Sequence, residues 1–267
     1  MKKSIMPLIL FVMVSFYLTG CLTKTYNDYQ KLLTDTKKDL GEFEYFSAMI
    51  DYKMKNYDKA LKSFKSSADN GYAKSQFWLG VMYAEAQGVE QDYKEALKWF
   101  KLSAKQGDKE AQNAIGAVYH NGLGVKRDYK KAIKWYKLSS DQGFDVAQYN
   151  LGIMYSQGFG VPKDKKEAKR LYKLSAAQNY YEAQYNLGAL YEEEKDYKEA
   201  LKWYKLSANQ GYAKAQHNLA SLYYNGKGVK MDKKKAYELL KKSAEAGYRD
   251  AQITLDKMCE KSPQICQ

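Results

Sequence analysis

Small and apolar side chains recur along most of this chain at the spacing of α-helices. Ala147, Leu151 and Met154 fall three or four residues apart and therefore share one side of a helix. Ala132 and Tyr136 repeat the spacing in a second stretch. Polar and charged residues occupy most of the positions between, so the pattern predicts a series of amphipathic helices. We therefore expect an all-α protein.

The helical pattern also returns at a nearly constant interval. A six-residue phrase begins at Ala111, Ala147, Ala183 and Ala215. It consists of Ala-Gln, two variable residues, an apolar residue, and then Gly or Ala. A unit of this length cannot bury its apolar side alone, and stacked units share a continuous core and a long binding surface. Six such units are predicted: Glu42–Lys74, Ser75–Glu110, Ala111–Val146, Ala147–Glu182, Ala183–Lys214 and Ala215–Asp250.

Turn and capping residues divide each unit into two helices. Gly-x-Gly-Val is expected to end the first helix at Gly122, Gly158 and Gly226, because glycine accepts left-handed conformations. Expected N-caps of the second helices are Asn56, Asp92, Asp128, Asp164, Asp196 and Asp232. Glu95, Glu167 and Glu199 would complete capping boxes. The second helices should end at Gly71, Gly107, Gly143, Asn179, Gly211 and Gly247.

These units resemble the Sel1-like repeat family, which is related to the tetratricopeptide repeat. The family phrase A-Q-x-x-L-G-x-x-Y-x-x-G-x-G-V-x-x-D-x-x-K-A matches Ala147 to Ala168 at nearly every place, with Glu167 in place of Lys. The resemblance covers residues 42–250 and implies an α/α right-handed superhelical solenoid. As a guide to function it is broad, because the family serves many roles.

The N-terminus predicts export and lipid anchoring. Lys2 and Lys3 precede a mostly apolar run that is shorter than the roughly 20 residues of a transmembrane helix. Residues 1–20 are therefore expected to be a signal peptide. Leu18-Thr19-Gly20-Cys21 resembles a bacterial lipobox, which implies acylation of Cys21; the alternative is an ordinary signal peptide with a chance cysteine. Residues 21–41 would form a tether or contain a short helix.

By the same resemblance, Leu22 after the cysteine favours the outer over the inner membrane. The protein would face the periplasm, or the cell surface. Two further cysteines, Cys259 and Cys266, lie within residues 251–267, which we expect to form a capping helix. An even number of remaining cysteines in an oxidising compartment favours one disulfide, and Pro263 between them would let the chain turn back.

The net charge and the scarcity of arginine restrict the class of molecule that this protein is expected to bind. The formal net charge is +13, and removal of residues 1–20 would leave +11. Arginine occurs only at Arg127, Arg170 and Arg249, whereas nucleic-acid readers rely on arginine for bidentate contacts, so we expect no nucleic acid. Many lysines lie on the second helices: Lys94, Lys98, Lys101, Lys130, Lys131, Lys134, Lys202 and Lys205. They form either a solvated face or a surface for anionic lipid or an acidic partner.

The expected binding groove is lined by the first helices. The candidate binding residues are Asn113, His120, Tyr149, Asn150, Tyr185, Asn186, His217, Asn218 and Tyr224. Asn150, Asn186 and Asn218 recur at one repeat position, where a carboxamide either holds a partner's backbone or bonds the neighbouring helix. Tyrosines supply rigid contact area of the kind found at interface hot spots. Phe46 and Trp78 are expected in the core.

The sequence contains no motif that indicates catalysis. His120 and His217 are the two histidines, and neither has a neighbouring cluster with metal-ligand spacing. Cysteine-rich relatives in the Sel1-like family have been linked to penicillin binding and β-lactam hydrolysis, but this chain lacks the S-x-x-K and K-T-G motifs. We expect no cofactor, no metal and no enzyme activity.

The leading hypothesis is a non-enzymatic, lipid-anchored scaffold that holds a protein or peptide in its groove. An antitoxin (immunity) lipoprotein would instead have one tight and acidic partner. A cell-wall binder would stack Tyr149, Tyr185 and Tyr224 on sugars.

Overall fold

A computed structural model describes residue 36 and residues 40–266, and in that part of the chain the regular secondary structure is helical throughout. The all-α solenoid prediction is thus confirmed. The predicted signal peptide, Cys21 and most of the predicted tether lie outside the described residues. None of the helices in the described part is both long and apolar enough to cross a bilayer.

The chain divides into two compact units, Met1–Asp108 and Lys109–Gln267. Unit 1 holds α1 (40–53), α2 (Tyr57–Asp69), α3 (Ala73–Glu85) and α4 (Tyr93–Lys105). Unit 2 begins with α5 (Lys109–Asn121), α6 (Tyr129–Asp141), α7 (Asp145–Gln157), α8 (Lys165–Ala176) and α9 (Tyr181–Glu193). It continues with α10 (Tyr197–Asn209), α11 (Ala213–Asn225), α12 (Lys233–Glu245), α13 (Arg249–Lys261) and the short α14 (Pro263–Cys266).

Within each unit, a first helix packs most extensively on the second helix of its own repeat. Small residues make this close approach possible. Gly152 of α7 lies so near Tyr172 of α8 that an added Cβ would be 2.6 Å from the ring. Gly116 and Gly188 face Tyr136 and Tyr204 in the same way. In five of the six repeats a buried aromatic ring of the second helix fills the centre, and in the sixth Leu240 takes its place. The rings are those of Phe64, Phe100, Tyr136, Tyr172 and Tyr204.

Five of the six predicted N-caps form. The carboxylates of Asp92, Asp128, Asp164, Asp196 and Asp232 accept backbone N–H groups of the first helical turn. Asn56 was wrongly predicted, because its side chain makes no capping bond and its amide instead lies 3.5 Å from Asp51 Oδ1.

The predicted capping boxes were also wrong. The backbone N–H of Asp164, which Glu167 was expected to bond, already donates to the carbonyl of Tyr155 in the preceding helix at 2.9 Å. Asp92 and Asp196 are held in the same way by Tyr83 and Tyr191. The glutamates are therefore free for side-chain partners. Glu95 pairs with Lys98, Glu167 with Arg170, and Glu199 with Lys202 and Trp203.

The Gln of the repeated Ala-Gln phrase has a structural role. Gln112 is buried at the start of α5, and its Oε1 accepts from Gln142 Nε2 at 2.8 Å at the end of the paired helix. The same bond joins Gln148 to Gln178 and Gln184 to Gln210. In unit 1 it joins Gln76 to Gln106. These bonds satisfy a buried amide while fixing where each second helix ends.

Phe46 departs from its predicted place in the core. It is 58% exposed on α1, whereas Trp78 packs against the core of unit 1 beside Phe64. Both were assigned from one repeat position. In α3 that position faces the ring of Phe64, at 6.4 Å between centroids, and α1 has no such neighbour there.

The end of the chain is joined by a disulfide between Cys259 of α13 and Cys266 of α14, whose Cα atoms lie 5.7 Å apart. We expect reduction, or Cys259→Ser with Cys266→Ser, to lower the free energy of unfolding of the last repeat by about 2–3 kcal/mol, from the entropy of closing so short a loop. Urea unfolding followed by circular dichroism, with and without reductant, measures this. Reductant should leave the double variant unchanged, and equal curves for oxidised and reduced protein would contradict the prediction.

Candidate functional site

The first helices of unit 2 present a continuous row of aromatic side chains, which we call the tyrosine ladder. Its members are Tyr149, Tyr180, Tyr181, Tyr212 and Tyr185. Neighbouring rings in that order lie 5.1, 6.0, 5.0 and 5.3 Å apart between centroids. The ladder arises because the residue just before one first helix packs on the fifth residue of the preceding first helix. The sequence pattern identified Tyr149 and Tyr185 but not Tyr180 and Tyr212, which directly precede first helices, or Tyr181, which is the first residue of α9.

The ladder is partly open to solvent. Tyr181 is 37% exposed, and the other members are half-buried. Burial raises the pKa of Tyr149 and of Tyr212 to about 12, and it raises the pKa of Tyr185 above its usual value. The hydroxyls therefore stay neutral at physiological pH and act as hydrogen-bond donors and acceptors.

A carboxylate lies among these rings. Burial, followed by the negative charge of Glu182, holds the pKa of Tyr180 above its ordinary value, and a hydrogen bond to Glu182 raises that of Tyr181. Oε2 of Glu182 is buried and has no hydrogen-bond partner. An unpaired carboxylate oxygen beside aromatic faces suits a hydrogen-bond donor or a cation. No pattern in the sequence indicates Glu182, because its environment depends on the rings packed around it.

The three asparagines that recur at one repeat position, which we call the asparagine row, hydrogen-bond to other residues of this protein. Asn150 Nδ2 donates to Asn113 Oδ1 of the neighbouring first helix at 2.9 Å. Asn218 Nδ2 donates at 3.1 Å to the hydroxyl of Tyr204, which in turn donates to Glu192 Oε2 at 2.9 Å. Asn186 hydrogen-bonds to the hydroxyls of Tyr149 and Tyr172. Of the two interpretations that the sequence left open, the structure thus shows bonding to neighbouring helices.

The asparagines follow the identity of the preceding aromatic residue. Asn150, Asn186 and Asn218 come after second helices that carry Tyr136, Tyr172 and Tyr204, whereas Trp78 comes after Phe64. Tyr172 and Tyr204 each have a hydroxyl that needs a partner, and Phe64 does not. The row is therefore explained by packing, and the tyrosine ladder beside it is the candidate binding surface.

The remaining candidates lie in two other clusters. His120 packs among Tyr129, Tyr136 and Phe159 at centroid distances of 5.5, 6.5 and 5.8 Å. His217 contacts Thr254 through Nε2 at 3.2 Å and Asn218 through Nδ1 at 3.3 Å. Together with Tyr224, His217 lines an open cavity of about 390 Å³ beside α13. The structure thus does not bring the two histidines into one site.

We expect protonation of His120 to oppose folding. Burial, and then the charge of Arg127, hold its pKa below the usual 6.5. The unfolded chain therefore takes up the proton first, so the free energy of unfolding falls as the pH drops below about 6.5. Urea unfolding measured from about pH 7.5 to about pH 5, which spans the titration of histidine, should show this decline, and His120→Gln should flatten it. His217→Gln is the matched control, and a decline unchanged in His120→Gln would contradict the assignment.

Among the described residues, no group of three or more His, Cys, Asp or Glu side chains is arranged to hold a metal ion. The exposed lysines of the second helices are in part paired with acidic side chains, as in Lys98–Glu95, Lys131–Asp128 and Lys202–Glu199. Such exposed pairs contribute little to stability.

Comparison with protein families matches six Sel1 repeats, at residues 40–72, 73–108, 109–144, 145–180, 182–212 and 213–248. The predicted resemblance is thereby confirmed, and each match begins one or two residues before the unit read from the sequence. No curated protein matches the chain closely enough to count as a relative.

Several solved structures are similar. A protective antigen of uropathogenic Escherichia coli with an SLR fold is 33% identical over 84% of this chain, with a TM-score of 0.76; the chain spans 48% of that structure's length. A Sel1 repeat protein from Oxalobacter formigenes is 28% identical, with a TM-score of 0.74, over 79% of this chain and 86% of its own. The immunity protein Pa5087 of Pseudomonas aeruginosa is 22% identical, with a TM-score of 0.51, over 74% and 83%.

Proposed function

The chain belongs to the Sel1-repeat family, and from that premise we propose that it is a non-enzymatic envelope lipoprotein that holds a protein partner against the first-helix face of unit 2. Sel1 repeats form a protein-interaction scaffold, and the first helices of unit 2 carry the surface best suited to that role. The lipid on Cys21 would keep the complex at the membrane.

The tyrosine ladder is the observation that carries this proposal. Five tyrosines in ring contact supply rigid, amphipathic area whose side-chain freedom is already reduced by packing, so little entropy is lost when a partner binds. Their neutral hydroxyls offer polar contacts at the same place. The asparagine bonds hold the underlying helices in register without using the exposed edge of the rings.

The anchor rests on the sequence Leu18-Thr19-Gly20-Cys21. In an exported protein the Cys259–Cys266 disulfide would persist, because that compartment is oxidising. Cell fractionation of the full chain and mass spectrometry of its N-terminal peptide test the anchor. We expect wild type in the membrane fraction with an acylated residue 21, and we expect no acyl group on residue 21 of Cys21→Ser.

The partner experiment is in-cell crosslinking followed by pull-down of the C-terminally tagged protein. Tyr181→Arg with Ser221→Arg places two bulky charges on exposed first-helix positions of unit 2. Leu138→Arg with Leu206→Arg is the matched control on second helices, at leucines that are 50% and 40% exposed.

A protein recovered by wild type and by the control, but lost with the Tyr181 and Ser221 changes, is the expected result. Equal recovery by all three would move the binding surface away from the first helices. One tight, acidic effector would favour the immunity alternative. Recovery of peptidoglycan alone would favour the cell-wall alternative, and turnover of a β-lactam would overturn the non-enzymatic assignment.

A further inference from the structure

Helix α1 is apolar on two opposite sides. Its inner side, with Tyr45, Ala48 and Tyr52, belongs to the core of unit 1. Its other side carries what we call the outer stripe: Leu40, Phe43, Phe46, Ile50 and Met54, which are 50%, 74%, 58%, 62% and 67% exposed. These residues are spaced three or four apart and so lie along one line of the helix. An apolar side of a helix normally packs against another element or a membrane.

The repeat architecture shows why the outer stripe is bare. Phe43 and Ile50 occupy the repeat positions of Ser75 and Met82 in α3, and both of those side chains are 0% exposed. In α3 they are covered by α2, whose Ser67 Oγ lies 2.6 Å from Ser75 Oγ. The described residues contain no second helix before α1. Terminal repeats usually present a polar outer face, and this one presents two phenylalanines, an isoleucine and a methionine instead.

We propose that the outer stripe of α1 inserts into the interfacial region of the lipid bilayer, as a second membrane contact beside the acylated Cys21. This inference rests on the lipid anchor of the proposed function. Residues 22–39 separate Cys21 from the stripe, and a chain of that length reaches at most roughly 60 Å. Anchoring by the lipid thus holds the stripe close to the bilayer, so a weak affinity suffices to keep it there. Helices that lie in the interface bury their apolar side among the headgroups and upper acyl chains.

The charges near the outer stripe determine how its binding to the bilayer responds to salt. Residues 40–70 contain five lysines and five acidic residues, so this end of unit 1 carries no net charge. Binding through the stripe therefore depends on apolar burial, and it changes little with salt or with the fraction of anionic lipid. Binding through the lysines of the second helices would instead weaken as salt screens the charges.

The test is flotation of the mature chain, residues 21–267 with Cys21→Ser, with vesicles of phosphatidylethanolamine and phosphatidylglycerol and with vesicles of phosphatidylcholine alone. Phe43→Ser with Ile50→Ser removes two apolar side chains of the outer stripe that are 74% and 62% exposed. Leu138→Ser with Leu206→Ser removes two exposed leucines from the second helices of unit 2 and serves as the matched control. Circular dichroism checks that each variant is folded.

The Cys21→Ser chain with an intact stripe, called wild type in this assay, and its Leu138 and Leu206 control are expected to float with both kinds of vesicle. The Phe43 and Ile50 variant is expected to bind about tenfold more weakly or worse. Raising the salt should leave wild-type binding nearly unchanged. The proposal is overturned if wild type does not float, if the variant floats equally well, or if salt abolishes binding. It is likewise overturned if sedimentation shows a wild-type dimer that the variant abolishes, since a second copy would then cover the stripe.

Failure of the anchor has a different readout. Residue 21 is mutated in this assay, so vesicle binding is measured without any contribution from the lipid anchor. Acylation is read from the mass of the N-terminal peptide of the full chain. An unacylated chain that floats would refute the anchor, and an acylated chain whose Cys21→Ser form does not float would refute the stripe contact.

Discussion

Gly152→Ala is expected to destabilise unit 2 by about 2–3 kcal/mol, which is the cost of adding a methyl group to a filled core. The new Cβ would lie 2.6 Å from Cε1 and 2.8 Å from Cδ1 of Tyr172, whose ring is 2% exposed and has no room to move. In a helix without this contact, glycine to alanine stabilises by about 1 kcal/mol. The sign of the change in urea unfolding therefore tests the contact directly.

The chain supplies its own compensating pair for this test. The sixth repeat carries Ala220 and Leu240 where the fourth carries Gly152 and Tyr172, and both residues are buried. Gly152→Ala combined with Tyr172→Leu should therefore cost less than the sum of the two single changes, with a coupling of about 1 kcal/mol or more. Strict additivity, or a stabilising Gly152→Ala, would show that the ring does not limit the approach of α7 to α8.

Tyr204→Ala is expected to lower the free energy of unfolding by about 3–5 kcal/mol, because it leaves a cavity where a ring is 0% exposed. Tyr204→Phe isolates the hydroxyl. It leaves Asn218 Nδ2 and Glu192 Oε2 without the bonds of 3.1 and 2.9 Å, and we expect a loss of about 1–2 kcal/mol.

Substitution of Asn218 tests whether the role of this asparagine is to hydrogen-bond to the hydroxyl of Tyr204. In the Tyr204→Phe background, Asn218→Ala should cost much less than it does in wild type, because the amide has already lost its acceptor. Urea unfolding of the four proteins measures this coupling. An equal cost in both backgrounds would mean that the asparagine serves another purpose, and the direct binding of a partner's backbone would return as its explanation.

Both predictions concern helix pairs whose side chains also support the tyrosine ladder. Tyr204 lies 5.8 Å from Tyr185, and Tyr172 lies 6.0 Å from Tyr149, between ring centroids. The buried rings thus fix the positions of the half-buried ones. A variant that loosens Tyr172 or Tyr204 is expected to weaken the partner as well, which is why the binding experiment uses the exposed Tyr181 and Ser221 instead.

The sequence predicted well wherever the cause is local. Helical spacing, left-handed turns and aspartate caps depend on residues within a few positions of each other, and the structure bears them out at Asp92, Asp128 and Asn179, whose φ is 68°. It failed where two helices compete for one group. The amide of Asp164 has two potential acceptors, Glu167 in its own helix and Tyr155 in the previous one, and only the packing of α7 on α8 selects the second.

The candidate site shows the same division. Tyr149 and Tyr185 were found because they repeat within the first helices, whereas Tyr180, Tyr181 and Tyr212 join them only when successive repeats stack. The asparagine row was visible in the sequence, but its meaning depended on the hydroxyls of Tyr172 and Tyr204 reaching it from other helices.

By itself the sequence determined the family, the helix-turn-helix repeat and the places where helices begin and end, because these follow from short-range patterns repeated in register. The tertiary structure decided which side chains pack against other helices and which remain exposed. It placed the half-buried asparagine amides in hydrogen bonds with neighbouring helices and left the outer stripe of α1 bare at Phe43 and Ile50, since burial depends on whether another helix lies against a residue.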